Sequence, residues 1–207
     1  MSRLQRAMEA QFAVALERRR SPAGEKSYTN YLYGKGLDTI LMKCGEEAFE
    51  TVIAAKSGDK TELVGELNDL LYNLTVLLCY QELPFDAVMA EVNTRCAAEG
   101  RDLDALAEIV ARRRDLKDGE SYTAYLFEKG PDKILKKVGE GTTRLLLSAK
   151  GREGQKVCMA CGDLLFHLLV TMEAMGVSTE DVAEEMERRL GKSGNLKTFR
   201  TNTDLNT

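Results

Sequence analysis

With 207 residues, 43% hydrophobic and 30% charged, the chain has the composition of an ordinary soluble globular protein, long enough for one large domain or two small ones. A net charge of −4 and a pI near 5.3 argue against non-specific binding to nucleic acid, and no apolar run approaches the ~18 residues of a membrane span. A cytoplasmic protein with neither membrane nor nucleic-acid partner is expected, and a polyanionic substrate would need basic side chains or bound cations.

The N-terminal stretch SRLQRAMEAQFAVALERRR interrupts its apolar residues with Glu9 and Glu17. It reads as a helix with Leu4, Met8, Phe12 and Leu16 on one face, not as a signal peptide. Ser27 predicts the N-cap of a short helix that ends near Gly36. A long helix follows over about 38–57. In SGDKTE, Asp59 and Glu62 have capping-box spacing and open another long helix to about 82. Pro84 opens the next, over about 84–98.

From there the chain repeats itself at a shift of 94 positions. RRRSPAGEKSYT at 18–29 aligns with RRRDLKDGESYT at 112–123. Thirteen of the twenty residues 27–46 are identical to 121–140, but only seven of the thirty-two residues 47–78 match 141–172, so the second copy keeps its front and changes its middle. Leu103, Leu106 and Val110 recur at helical spacing, Ser121 and Gly130 bound a second short helix, a long helix covers about 132–150, and GVSTED starts the last at Ser178. No stretch carries a strand signal, and the tail NTDLNT reads as frayed.

The expected fold is therefore all-α. Each copy supplies two long antiparallel helices, half of a four-helix bundle, and the two close on each other as a pseudo-twofold internal pseudo-dimer. The copies are bounded as 1–99 and 100–207, and further homo-oligomerisation stays open. Cys44, Cys79, Cys96, Cys158 and Cys161 read as reduced buried thiols. Cys158 and Cys161 spell C-x-x-C without a second pair, and the single histidine, His167, reads as a core residue.

Glu47 and Glu50 are three apart on one helix, and Glu66 and Asp69 are three apart on the next, so each pair shares a face. A hairpin turning near Gly58 sets the two pairs opposite each other. Four converging carboxylates repel unless a cation joins them, and Mg2+ takes such hard oxygen ligands while keeping positions open for water and phosphate. Glu47, Glu50, Glu66 and Asp69 are thus the metal-ligating candidates, for Mg2+ with Mn2+ able to substitute. The alternative is two solvated acidic stripes. Lys35, Lys43 and Lys56 are candidates for phosphate contact. GKSG at 191–194 lacks the glycine of a phosphate-binding P-loop five positions earlier, where Met186 stands, so that mechanism is excluded.

The stretch SYTNYLYGKGLDTILMKCGEEAFETVIAAK and the later ELNDLLYNLTVLL resemble phosphoribosyl-ATP pyrophosphatase, of the all-α NTP pyrophosphatase (MazG-like) superfamily. The resemblance covers about 10–92 and 104–190. It implies Mg2+-dependent hydrolysis of a nucleotide α–β phosphoanhydride in histidine biosynthesis, releasing pyrophosphate and phosphoribosyl-AMP. It also implies helical dimers with active sites near the interface, and the tetrad above as the catalytic set. Two departures stand out. Tyr72-Asn73 replaces the family's usual Tyr-His, and the chain carries two units where the ordinary enzyme is one. A house-cleaning (d)NTP pyrophosphatase, or a non-catalytic nucleotide-binding module, remains an alternative.

In the second copy Glu47 becomes Gly141, Glu50 becomes Arg144 and Glu66 becomes Ala160, with only Asp69 kept, as Asp163. That site is expected to hold no metal, with Arg144 in the cation's place and paired with Asp163. The retained front raises a second expectation, that Lys129 and Lys137 reach across to substrate bound at the first copy, against the alternative that the front encodes only caps and packing. Glu46, kept as Glu140, is a secondary candidate for general base or for a structural role.

Overall fold

The computed structural model describes residues 2–21, 27–96, 102–116 and 121–190. The expected boundary near Gly100, the GKSG stretch and the tail lie outside them. The described residues form ten helices and no strand. The first copy supplies α1 (Arg3–Arg20), α2 (Tyr28–Lys35), α3 (Leu37–Ser57), α4 (Lys60–Tyr80) and α5 (Phe85–Asn93). The second supplies α6 (Leu103–Arg114), α7 (Tyr122–Lys129), α8 (Pro131–Lys150), α9 (Gly154–Met175) and α10 (Thr179–Leu190).

The helix starts are those that the side chains dictate. Ser27 and Ser121 accept hydrogen bonds from the backbone N–H of Asn30 and Ala124, and Asp59 accepts from Thr61 and Glu62, each satisfying donors that the first helical turn leaves unpaired. Gly36 and Gly130, at φ 86° and 79°, each end one helix and begin the next. Only a residue without Cβ takes that conformation cheaply, so the short helices α2 and α7 meet α3 and α8 at a single-residue corner. Helix α5 ends at Asn93, short of the expected 98, and residues 94–96 form a turn.

Helices α3 and α4 form one antiparallel hairpin and α8 and α9 the other, and α3 lies against α8. The outer helices cross between copies. From the first copy, α5 packs on α9; from the second, α10 packs on α1 and α4. Two surface ion pairs repeat this exchange. Lys56 at the end of α3 meets Asp132 at the start of α8 at 2.6 Å, and Lys150 at the end of α8 meets Asp38 at the start of α3. Each is the other's image under the 94-residue shift.

One continuous apolar core results, running from Leu4 to Met186 through both copies. Helix α9 corrects an expectation: by length and composition it is apolar enough to cross a membrane, but most of it is buried inside the bundle, covered by α5, α6 and α8. All five cysteines are free and buried, and burial pushes the Cys161 thiol up to about 12. His167 is a satisfied core residue. Its Nδ1 lies 2.8 Å from the Asp163 carbonyl and its Nε2 3.2 Å from the Tyr122 hydroxyl. A carbonyl only accepts, so Nδ1 carries the proton and Nε2 accepts from Tyr122.

Candidate functional site

The α3–α4 hairpin turns at Gly58, in the left-handed region at φ 79°, and returns α4 alongside α3. Glu47 on α3 and Glu66 and Asp69 on α4 are thereby brought together, with one carboxylate oxygen of each within 4.8 Å of the others. Glu47 is only 5% exposed, and Oε2 of both Glu47 and Glu66 is shielded from solvent. Glu50, one turn further along α3, does not join this group. Three buried or half-buried carboxylates at such distances repel, and a hard cation among them would relieve that repulsion. The donor set is oxygen only, which suits Mg2+ or Mn2+ and not a thiophilic metal.

Basic and aromatic side chains frame the cluster. Lys43 Nζ lies 2.7 Å from Glu46 and 3.9 Å from Glu47. Arg189, from the second copy's α10, places Nη1 2.8 Å from Asp69 Oδ1 and Nε 2.5 Å from Glu185 Oε1. Arg188 and then Arg189 hold the Glu185 carboxyl down at about 2. Tyr28, at the start of α2, stacks on Tyr72 with ring centroids 6.4 Å apart. Burial raises its phenol well above the ordinary range, with further contributions from Glu47, Tyr72, Glu46 and Asp69, so its hydroxyl lies in the field of the acids. Tyr72 is fixed in turn: its hydroxyl is 2.6 Å from Thr29 Oγ1, which accepts from Arg18 at 2.8 Å.

The second copy's equivalent place is built differently. Gly141, Arg144 and Ala160 stand where the three glutamates were. Arg144 Nη1 pairs with Asp163 Oδ2 at 2.7 Å, as expected, and Arg95, in the turn that follows α5, approaches Asp163 Oδ1 at 3.3 Å.

The other sequence candidates are scattered. Lys56 is engaged by Asp132. Lys35 lies over the Tyr31 ring at 5.6 Å, and Lys129 over Tyr125 at the same distance. Lys137 pairs with Glu140 at 2.6 Å, repeating the Lys43–Glu46 pair of the first copy. Glu46 and Glu140 thus have the same structural partner in both copies. Sequence reasoning missed Tyr28 and Arg189. The signals were present: Tyr28 sits in the retained front, and Arg189 aligns with Arg95 under the same shift.

Comparison with known proteins finds the same family in both copies. The family model described as phosphoribosyl-ATP pyrophosphohydrolase matches twice, at residues 10–96 and 103–190. A phosphoribosyl-ATP pyrophosphatase of Bacillus cereus (strain AH820) is 50% identical over 84 residues, 41% of this chain and 78% of the relative. One of Listeria monocytogenes serotype 4a (strain HCC23) is 53% identical over 77 residues, 37% of this chain and 74% of the relative. The histidine biosynthesis bifunctional protein HisIE of Lactococcus lactis subsp. lactis (strain IL1403) is 51% identical over 76 residues, 37% of this chain but only 36% of that longer protein. No solved structure matches.

Proposed function

We infer the activity from a family assignment: the chain belongs to the phosphoribosyl-ATP pyrophosphohydrolase family, as two copies in tandem. On this reading it hydrolyses phosphoribosyl-ATP to phosphoribosyl-AMP and pyrophosphate in histidine biosynthesis. The observation that carries the reading is the gathering of Glu47, Glu66 and Asp69 in the copy that kept its acids. Residues 1–99 are then the working unit, and 100–207 its metal-free partner. The buried free thiols suit a cytoplasmic enzyme.

Glu47, Glu66 and Asp69 would hold Mg2+, and Glu50, one turn along α3 and outside their group, would be a more distant oxygen donor. The bound cation would neutralise phosphate oxygens, acidify an attacking water and stabilise pyrophosphate as it leaves. The chain's own groups orient the reactants. Glu47 is fixed on α3 among buried side chains, and the rigid hairpin holds the other two acids against it. Lys43 and the Tyr28 hydroxyl border the acids and are placed to meet phosphate oxygens. Water adds to phosphorus, the bridging P–O bond breaks, and the bridging oxygen leaves with pyrophosphate.

The test is pyrophosphate release by the purified chain with Mg2+, given phosphoribosyl-ATP beside a panel of canonical and modified NTPs and dNTPs. Preferred turnover of phosphoribosyl-ATP is expected. Preferred turnover of another nucleotide would reassign the substrate to the house-cleaning class, and binding without turnover would make the chain a nucleotide-binding module.

A further inference from the structure

We propose that Arg189 is a counter-charge that the second copy supplies to the first copy's acids: it holds Asp69 in position and competes with the metal ion for it. The proposal deepens the functional reading above and rests on it. Arg189 lies 120 residues along the chain from Asp69, and helix α10 delivers it across the boundary between copies. Its side chain is 24% exposed and its guanidinium doubly anchored, by Glu185 at 2.5 Å and by Asp69 at 2.8 Å. In the amide orientation that satisfies its neighbours, Asn68 also accepts from Nη1, at 3.1 Å. The guanidinium lies close over α4, where a Cβ at Gly65 would stand 3.5 Å from Nη2, an ordinary contact. The second copy has Met159 at the equivalent place.

A built-in comparison separates packing from electrostatics. Under the 94-residue shift Arg189 becomes Arg95 and Asp69 becomes Asp163, and those two are paired as well, at 3.3 Å. The crossed arginine–aspartate contact thus persists where the metal acids were lost, so part of its work is to dock α5 on α9 and α10 on α4. Among the described residues, however, two further carboxylates lie within 4.8 Å only at Asp69. There alone a guanidinium lowers the repulsion among ligands before a cation arrives, and there alone it opposes the cation afterwards. Its geometric effect is to keep Asp69 from swinging away from Glu47 and Glu66. This gives the degenerate copy a task that a metal site of its own would not require.

Manganese binding to the whole purified chain, measured by titration calorimetry without nucleotide, reads the electrostatic part directly. Arg189→Gln should bind Mn2+ roughly fivefold tighter, the scale of one partly exposed charge pair, while its kcat for pyrophosphate release falls about tenfold because Asp69 is no longer held. Arg189→Lys keeps the charge and should return the affinity to that of the unsubstituted chain. Arg95→Gln should lower the melting temperature about as much as Arg189→Gln and leave both Mn2+ affinity and kcat unchanged. Unchanged or weaker Mn2+ binding in Arg189→Gln, or equal effects from Arg95→Gln, would overturn the proposal and leave the acid cluster standing. No Mn2+ binding by the unsubstituted chain would overturn both.

Discussion

Arg144 and Asp163 form an ion pair, 2.7 Å between Nη1 and Oδ2, at the position where the first copy carries Glu50 and Asp69. A guanidinium beside the last remaining carboxylate leaves no anionic pocket for a divalent cation. The Arg144 side chain is 59% exposed, so its contribution to stability is small. Arg144→Ala is expected to lower stability by under ~1 kcal/mol and to leave pyrophosphate release unchanged, since Asp163 keeps Arg95. Thermal melting with a turnover assay checks both, and a loss of activity would place the second copy's core in the working site.

In the first copy, charge and not volume is the critical property. Glu47→Gln, Glu66→Gln and Asp69→Asn each preserve shape and should lower turnover by about 10²–10³-fold, the usual scale for removing one essential charge-stabilising group. Without metal, Glu47→Gln should melt higher than the unsubstituted chain, because one of three crowded charges is gone. The rise in melting temperature that Mg2+ gives the unsubstituted chain through binding the folded form should disappear. A Glu47→Gln chain still stabilised by Mg2+ would mean that the ion sits elsewhere.

His167 makes stability depend on pH. Burial lowers its pKa below the ordinary 6.5, Lys137 and Arg144 push the same way, and Asp163 opposes them. The folded state therefore binds the imidazole proton less readily than the unfolded state. The neutral ring's contribution is full above about pH 6.5 and is lost as pH falls below it toward the folded-state pKa. In the first copy Asn73 Nδ2 makes the equivalent bond to the Asp69 carbonyl at 2.9 Å with a group that does not titrate. His167→Asn should flatten the fall in urea-unfolding stability between pH 7 and 5. An equally steep fall in the variant would assign that pH dependence to carboxylates.

Gly162 fixes how closely α5 approaches α9. A Cβ there would stand 2.9 Å from the Glu91 Cβ and 3.5 Å from the Val92 nitrogen, so relief requires the helices to part. Gly162→Ala gains ~1 kcal/mol of helix propensity but incurs about 1–3 kcal/mol of overpacking. A net loss of stability is expected in urea unfolding, and a gain would mean that α5 yields easily. The first copy has Asn68 at this position, beneath Arg189, so the two crossed helices are seated by different side chains.

Much of the fold was legible because helical periodicity and capping act over a few residues. Ser27, Gly36, Asp59, Ser121 and Gly130 set helix boundaries through their own hydrogen bonds or φ angles. The hairpin arithmetic about Gly58 was enough to bring Glu47 toward Glu66 and Asp69, and the Gly141, Arg144 and Ala160 replacements announced the altered second site. Tertiary structure alone decided which distant partners met. The pairing of Arg189 with Asp69, of Lys56 with Asp132, and the separation of Glu50 from the other acids depend on the docking and rotation of whole helices from two copies. Those follow from the summed packing of a shared core, to which every helix contributes and which no local spacing encodes.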